Sequence, residues 1–325
     1  MIRYQHGLVF GKFLPVHQGH VALVDFAAMQ CERLTVSMSV TPDDSIAPEL
    51  RLDWLQRLFH YYPHVEIVQE PDDFHDPTLP LVEATRLWAD FIRWRFPTVD
   101  VFFCSEEYGT PLAHHLGLPC VYFDKQRRQV PISATQLRAN PWAHWHYIPP
   151  TVRPYFVKKI CLFGPESTGK STLSEALATY FRTTYVPEMA RLLLQSNDIT
   201  VADILAIGHA QTQEVTQQER IANKLLFCDT DVITTQIYAQ HYLGLVPEVL
   251  IQLERQVHYD HYFLLDIDLP WVADNLRDLG HRRDEMFSIF KAELEKRQLP
   301  YTLISGTWDE RFEKIKHIIQ TLFGI

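Results

Sequence analysis

The chain has 325 residues and a formal charge of −10, from 40 acidic residues against 30 Lys plus Arg, and 46% of its residues are hydrophobic. This length is enough for two domains, and the apolar fraction excludes disorder as the main state. The acidic balance argues against a general nucleic-acid-binding protein, because such proteins carry a basic surface.

Cysteine usage and hydropathy indicate the compartment. Five cysteines are an odd number, and most stand inside apolar runs, which predicts buried, reduced thiols. No run approaches about 18 apolar residues, and the N-terminus lacks the basic-then-hydrophobic plan of a signal peptide. We therefore expect a cytoplasmic protein with no membrane partner.

In the first half, short apolar runs alternate with helical patterns, which predicts βαβ units and a parallel sheet. Strands are expected near residue 8 and over 34–40, 65–68, 99–104 and 120–123, and helices over 48–62 and 81–96. The apolar stripes of these two helices consist of Leu52, Leu55, Leu58, Phe59 and Tyr62, and of Ala84, Leu87, Trp88, Phe91 and Ile92.

The first predicted strand is followed at once by the run GKFLPVHQGH, which begins at Gly11. His17 and His20 are three residues apart, with Gly19 between them, where the strand passes into a helix N-terminus. Imidazoles there can donate hydrogen bonds to phosphate oxygens. The alternative is a purely structural histidine; a zinc site would need further ligands at comparable spacing, which the sequence does not offer.

A second phosphate-binding pattern ends this half, in the run PISATQLR after the strand at 120–123. Ser133 and Thr135 can cap a helix, and Arg138 follows one turn later. Backbone amides, hydroxyls and a guanidinium would then converge on one anion.

A stretch with four prolines, NPWAHWHYIPPTVRPYF, separates the two halves. We place the boundary around 145–156 and expect domains over residues 1–148 and 156–325. In the second half, strands are predicted over 159–163, 183–186, 225–228, 262–266 and 301–304, and helices over 170–182, 201–223, 232–243, 247–258, 284–297 and 308–323.

The first strand of the second half leads into GPESTGKS, which fits the P-loop pattern at every fixed position and opens a helix. Its glycines let backbone N–H groups surround phosphate oxygens, Lys170 can reach the β- and γ-phosphates of ATP, and the Ser171 hydroxyl can bind Mg²⁺. The predicted nucleotide-binding residues are Gly164, Glu166, Ser167, Thr168, Gly169, Ser171 and Thr172.

Carboxylates follow the next two strands of this half, at the end of the sheet that faces a ligand. Asp229 is the expected partner of Mg²⁺ or water, and Glu188 is the candidate base; either could instead be a helix cap or a surface acid. The predicted substrate or lid residues are Asp231, Trp271, Arg277, Arg282 and Arg283, against the alternatives of core packing for the tryptophan and a solvated face for the arginines.

Together these motifs resemble a known family. GKFLPVHQGH is similar to the H-x-G-H signature of nucleotidyltransferases, and ISATQLR to their I-S-x-T-x-x-R signature. Followed by a P-loop half, they resemble the NadR-type bifunctional enzymes, in which a nicotinamide-mononucleotide (NMN) adenylyltransferase is fused to a ribosylnicotinamide kinase. The fold class implied is α/β, with two doubly wound parallel-sheet domains: a nucleotidyltransferase-type Rossmann-like domain and then a P-loop kinase domain.

The resemblance implies that the second half phosphorylates nicotinamide riboside and that the first half joins NMN to ATP, giving NAD and pyrophosphate. Lys12, His17, His20 and Arg138 would stabilise the transition state of adenylyl transfer. Lys170, Glu188 and Asp229 would serve the kinase. Nucleotide contacts in the first half are expected at Gly11, Phe13, Gly19, Trp88, Ser105, Glu106, Ser133 and Thr135, although Trp88 could equally pack in the core.

The expected small-molecule partners are ATP, nicotinamide riboside, NMN and NAD, with Mg²⁺ as cofactor. Many family members begin with a DNA-binding helix-turn-helix, whereas here the first strand is predicted within about ten residues of Met1, so no DNA partner is expected. Three alternatives stay open: an NAD-sensing, weakly catalytic first half, an enzyme pair acting on another metabolite such as a pantetheine phosphate, and a homo-oligomeric state.

Overall fold

The computed structural model describes residues 3–73, 76 and 78–325. The chain forms two compact units, Met1–Val152 and Arg153–Ile325. Each unit contains one five-stranded parallel sheet with helices packed against it.

The first unit has the sheet order β3-β2-β1-β4-β5. Its strands are β1 (Tyr4–Gly11), β2 (Cys31–Val40), β3 (Val65–Pro71), β4 (Val101–Cys104) and β5 (Cys120–Tyr122), and its helices are α1 (Gln18–Ala28), α2 (Pro48–Phe59), α3 (Leu81–Arg95), α4 (Gly109–Leu116) and α5 (Ala134–Ala139). A short 3₁₀ turn follows at Trp145–Tyr147. The central strand β1 pairs with β2 on one side and β4 on the other, which creates a switch point where open α/β sheets bind ligands.

The second unit has the sheet order β10-β9-β6-β8-β7. Its strands are β6 (Lys158–Phe163), β7 (Thr184–Val186), β8 (Leu225–Asp229), β9 (His261–Leu265) and β10 (Tyr301–Ile304), and its helices are α6 (Lys170–Tyr180), α7 (Met189–Leu193), α8 (Val201–Glu219), α9 (Val232–Leu243), α10 (Glu248–Glu254), α11 (Arg283–Lys296) and α12 (Trp308–Phe323). Two 3₁₀ turns lie at Arg153–Phe156 and Gly280–Arg282. The central strand β6 pairs with β8 and β9, so this sheet also has a switch point at its first strand.

The predicted α/β class with two parallel sheets is confirmed, because every strand pair of both five-stranded sheets is parallel and helices connect the strands. The apolar stripes are only partly right. In α3 the buried residues are Thr85, Ala89 and Ile92, and Leu87 is exposed. In α2 the buried face includes the charged Arg51, which the hydrophobic pattern did not predict.

Among the described residues, no helix is both long and apolar enough to cross a membrane. All five cysteines are free thiols, and four of them are buried, as their apolar surroundings predicted. Burial raises the pKa of Cys104 to about 12, so that this thiol stays protonated and unreactive at neutral pH.

Candidate functional sites

The first unit contains a cavity of about 690 Å³ at the carboxyl ends of its central strands. Predicted site residues from both ends of the unit line it: Gly11, Lys12, Phe13, His17, Gly19, His20, Trp88, Ser105, Glu106 and Arg138. The two sequence motifs are separated by about 110 residues of chain, and the parallel sheet brings them to one cavity. Ser133 and Thr135 lie next to it, on either side of the lining residue Ala134.

His17 and His20 form a stacked pair at the start of α1. Their ring centroids are 3.8 Å apart, and the rings are inclined by 24°. The Nδ1 atom of His17 accepts the Gly19 backbone N–H at 3.1 Å, and the Nδ1 atom of His20 accepts the His17 backbone N–H at 3.3 Å. The two rings therefore cap the helix on which they stand, which fixes their orientation.

These hydrogen bonds determine which ring nitrogen carries the proton. An Nδ1 atom that accepts a hydrogen bond has no proton of its own, so each neutral ring holds its proton on Nε2. Burial, with a contribution from Arg127, lowers the pKa of His17 to about 3, and burial together with the His17 ring lowers the pKa of His20 well below its usual value. Both imidazoles are neutral at physiological pH, and each provides one Nε2–H donor.

Gly19 is required by the position of the His17 ring. A Cβ atom at residue 19 would lie 2.8 Å from Cε1 and 2.9 Å from Nδ1 of His17, closer than side chains can approach. A Cβ at Gly11 would meet nothing nearer than the Phe13 ring, at 3.9 Å. A side chain at residue 19 would therefore displace the His17 imidazole, whereas one at residue 11 would clash with nothing.

Lys12 is held by groups that the sequence analysis did not identify. Its Nζ donates to the Thr41 hydroxyl at 3.1 Å and lies 3.4 Å from the Asp44 carboxylate. The fully buried Arg51 binds Asp44 at 2.6 Å and the carbonyl of Lys12. Burial alone would raise the pKa of Asp44, but hydrogen bonds from Thr41 and the two cations keep it below its usual value. Thr41 and Asp44, in the loop before α2, and Arg51, in α2, thus position the Lys12 ammonium group.

The second motif begins α5. The Ser133 hydroxyl accepts the Gln136 backbone N–H at 3.2 Å, so that it caps the helix. Arg138 donates to the Thr135 hydroxyl at 3.2 Å and to the carbonyl of Leu14, which ties α5 to the loop after β1. The exposed guanidinium also lines the cavity.

Other walls of this cavity are aromatic and basic. Trp88 packs against Phe10 and Tyr108, with centroid separations of 5.5 and 5.7 Å, and is partly exposed in the cavity. Arg127 lines the cavity and pairs with Glu106 at 2.6 Å. Arg127 was not predicted from the sequence, since it stands in a short basic run that belongs to no motif.

In the second unit the predicted P-loop has the backbone conformation that its glycines permit. Gly164 and Gly169 have φ values of 141° and 92°, a conformation that residues with a Cβ rarely adopt. Helix α6 begins at Lys170 without a side-chain cap, which leaves its first N–H groups free for a ligand. Lys170 is buried, and its Nζ donates to the carbonyls of Gly164 and Pro165 at 2.9 and 3.0 Å.

Arg311 and Trp308, both in α12, contact this loop. Neither residue belongs to a sequence motif. Arg311 is fully buried and donates to the carbonyls of Thr168, Gly306 and Asp266 at 2.8–3.0 Å, and to the Asp268 carboxylate. The C=O and N–H of one trans peptide point in opposite directions, so the bond to Thr168 also fixes the direction of the next N–H. The Trp308 ring covers Gly169, where a Cβ would lie 2.3 Å from it.

Asp229 is the last residue of β8 and is buried. Its Oδ1 atom is buried without a hydrogen-bond partner, and burial followed by the nearby Glu188 raises the pKa of its carboxyl. Ser171 stands beside it, at the start of α6. An unpartnered carboxylate oxygen next to a hydroxyl fits a divalent cation that completes its shell with phosphate and water. The described residues contain no cluster of three or more His, Cys, Asp or Glu that could hold a metal by itself.

Glu188 precedes α7 and lines a second cavity, which has a volume of about 70 Å³ and opens to solvent. Its carboxylate accepts a hydrogen bond from Arg191 at 2.9 Å. Arg191 also binds Asp274 at 2.9 Å, and Asp274 belongs to the segment of residues 266–282 between β9 and α11. The candidate base is thus oriented by an arginine that this β9–α11 segment also holds.

Glu166, inside the P-loop, lines the same cavity. Its carboxylate accepts the Leu279 backbone N–H at 3.4 Å, and the Ser167 hydroxyl accepts the Val272 N–H at 2.9 Å, so that the loop and the β9–α11 segment are joined. Burial raises the pKa of Glu166 to about 7. Tyr238 and Tyr242 line this cavity too.

The structure separates the other predicted residues of this half. Asp231 is buried outside the cavity, where it accepts the Thr234 N–H and the Tyr262 hydroxyl and caps α9; burial raises its pKa to about 6. Arg283 donates to the Leu269 carbonyl and lies over the Trp271 ring, near the P-loop. Of the remaining two predicted lid arginines, Arg277 pairs with Asp274, and Arg282 pairs with Glu285 and does not line the cavity. Thr172, the third residue of α6, is exposed.

Comparisons with known proteins agree with this two-site arrangement. A family model described as an AAA domain matches residues 159–311. A curated relative from Escherichia coli (strain K12), named "Trifunctional NAD biosynthesis/regulator protein NadR", is 31% identical over 98% of this chain and 83% of its own length. A relative from Thermococcus kodakarensis named "Nicotinamide-nucleotide adenylyltransferase" is 23% identical over 42% of this chain and 76% of its own length.

Solved structures show the same fold along the whole chain. A crystal structure described as a NadR protein in complex with NAD and AMP-PNP has a TM-score of 0.80, with 21% identity, and covers 100% of this chain and 98% of its own. A second structure, described as a NadR protein in complex with NR, has a TM-score of 0.78 and covers 100% and 97%.

Proposed function

The chain belongs to the NadR family, and from this membership we infer that it is a bifunctional enzyme of NAD biosynthesis. Its second unit phosphorylates nicotinamide riboside with ATP, and its first unit transfers the adenylyl group of ATP to NMN. The observation that carries this conclusion is the presence in one chain of two separate phosphate-binding sites, one built by an imidazole pair and one by a P-loop. We assign residues 1–148 to the adenylyltransferase domain and 156–325 to the kinase domain.

For the first unit, we propose that the 5′-phosphate of NMN attacks the α-phosphorus of ATP and that pyrophosphate leaves. Negative charge grows on the oxygens around the α-phosphorus, and fixed donors stabilise that charge without reorganising. The Nε2–H groups of His17 and His20 are such donors, since helix capping fixes both rings. Lys12 and Arg138 provide the positive charge for the triphosphate. Phe13, Ser105, Glu106 and Trp88 are proposed as contacts of the nucleotide.

For the second unit, we propose that the 5′-hydroxyl of the riboside attacks the γ-phosphorus of ATP, with ADP leaving. Lys170 exchanges its loop carbonyl partners for phosphate oxygens, and the N–H groups at the start of α6 bind the same phosphates. Glu188 accepts the proton of the hydroxyl, or orients it, from the position that Arg191 gives its carboxylate.

Mg²⁺ is the proposed cofactor of the kinase, and Ser171 and Asp229 would hold it. When bound, the ion neutralises charge on the β- and γ-phosphates. The buried, unpartnered Oδ1 atom of Asp229 supports this assignment. Because both reactions use ATP and all five thiols are free, we expect the protein in the cytoplasm.

A coupled assay tests both activities at once. The full chain would be incubated with Mg²⁺, ATP and nicotinamide riboside, and NMN and NAD would be resolved over time. We expect NMN first and NAD after it. Lys170→Ala should abolish NMN formation but still convert added NMN to NAD, and His20→Ala should do the reverse.

Two outcomes would contradict the proposal. Accumulation of NMN without any NAD would leave only the kinase and make the first unit an NAD-binding sensor. Absence of both products, with turnover of another riboside or of a pantetheine phosphate, would reassign the acceptors while leaving the two ATP sites in place.

A further inference from the structure

The cavity of the kinase unit carries more negative charge than its proposed reaction uses. Glu188 and Glu166 both line it, and Arg191 is its one lining cation among the described residues. Arg191 is already matched by two carboxylates, Glu188 at 2.9 Å and Asp274 at 2.9 Å. Glu166 is therefore a surplus carboxylate in the wall.

Glu166 also lacks a cation of its own. Its carboxylate accepts one backbone N–H, from Leu279, and forms no ion pair with a described Lys, Arg or His. Lys170 is close enough to influence it, but its ammonium is committed to two loop carbonyls and, in the proposed reaction, to phosphate. A half-buried carboxylate without a cation is costly to ionise, which is why burial raises its pKa to about 7.

The rest of the wall suits a flat ring. Tyr238 and Tyr242 stack with centroids 6.1 Å apart and planes inclined by 19°, and both line the cavity. Aromatic faces attract cations, and the aliphatic residues nearby exclude water, which strengthens that attraction. The remaining lining residues include Leu194, Ile199, Ile204, Ile207 and Leu276.

We propose that Glu166 is the counter-ion that makes the kinase unit select ribosides whose base carries a positive charge. The proposal rests on the proposed function, because the base of nicotinamide riboside is an N-substituted pyridinium. Such a ring is planar and cationic, so it can lie against the tyrosines while its charge faces Glu166. Neutral ribosides of the same shape would leave this carboxylate unpaired.

The test compares two acceptors that differ mainly in charge: nicotinamide riboside and the C-riboside of benzamide, which keeps the ring, the carboxamide and the ribose but is neutral. ADP formation by the full chain would be measured at about pH 8, above the pKa of about 7 that burial gives Glu166. We expect kcat/KM to be roughly tenfold or more higher for the cationic acceptor, mainly through KM.

Glu166→Gln should reduce this preference to about twofold or less, because the amide keeps the size and the acceptor for Leu279 but loses the charge. Glu285→Gln is the matched control: it removes an equal charge from an exposed carboxylate outside the cavity and should leave the preference as it was. The KM for ATP should be similar in both variants.

Three results would overturn the proposal. The unaltered protein could treat both acceptors alike, an outcome that does not depend on any variant folding. Glu166→Gln could lower turnover of both acceptors equally, or raise the KM for ATP, either of which would make Glu166 a part of the nucleotide site. Failure of the proposed function is distinguishable, since then neither riboside is phosphorylated by the unaltered protein.

Discussion

Gly19→Ala would test whether the stacked imidazoles act through their orientation. The new methyl group would lie within 2.9 Å of two ring atoms of His17, and the helical backbone at residue 19 cannot move away without disrupting α1. The ring must rotate, so its Nδ1 atom loses the Gly19 N–H and its Nε2–H turns from its present direction.

The expected magnitudes separate folding from catalysis. Losing the N-cap hydrogen bond costs about 1 kcal/mol, and the higher helix propensity of alanine offsets up to about 1 kcal/mol, so that stability changes little. Losing one fixed donor to the transition state costs about 3–4 kcal/mol, or a factor of roughly 10²–10³ in kcat. Adenylyl transfer should therefore fall steeply in a protein that is still folded.

The assay is the initial rate of NAD formation from NMN and ATP, with the kinase reaction of the same preparation as internal control. Gln18→Ala is the matched variant, since Gln18 is adjacent in the motif but does not line the cavity. We expect wild-type kinase rates in both variants and a large adenylyl-transfer loss in Gly19→Ala alone. A Gly19→Ala protein with more than about half of the original kcat would refute the reasoning.

Three further predictions follow from buried groups. Asp229→Asn should lower the kinase kcat about 10²-fold or more. Asp231→Asn keeps an oxygen that can cap α9, so its kcat should stay within a few-fold of the original and mainly its thermal stability should change. Equal losses of kcat in the two variants would place both residues at the site. Arg311→Met should destabilise the second unit by about 1–3 kcal/mol and raise the KM for ATP, because the buried carbonyls of Thr168 and Asp266 lose their donor. Calorimetry and ATP titrations measure the two effects. His17 stays neutral in the folded state, where its pKa is about 3, but takes up a proton in the unfolded chain below a pKa of about 6.5. Lowering the pH from about 7 to 5 therefore favours unfolding, and the first unit should lose up to about 2 kcal/mol of stability. In thermal melts, the stability of His17→Asn should depend less on pH.

The sequence determined much of the fold because its signals are local. Apolar runs that alternate with amphipathic helices specify a parallel α/β sheet. In each half, the phosphate-binding motif after the first strand was predicted from residue type and spacing alone. The P-loop is the clearest case: Gly164, Gly169 and Lys170 adopt the conformation that their types require, because left-handed φ values and a free helix N-terminus depend on residues adjacent in the chain.

Tertiary structure decided which side chains share a cavity and which charges are matched. Arg311 lies in the last helix, yet it donates a hydrogen bond to the P-loop carbonyl of Thr168. Arg51 binds the carbonyl of Lys12 from α2, where the apolar pattern gave no sign of a buried charge. Asp231 and Asp229 both follow the same apolar run in the sequence. Asp229 ends β8, whereas Asp231 lies two residues later and caps α9. The surplus charge of Glu166 is likewise visible only after its neighbours are known. Spacing along a chain specifies local conformation, whereas contacts between distant residues depend on how the sheet assembles, and no local pattern records that.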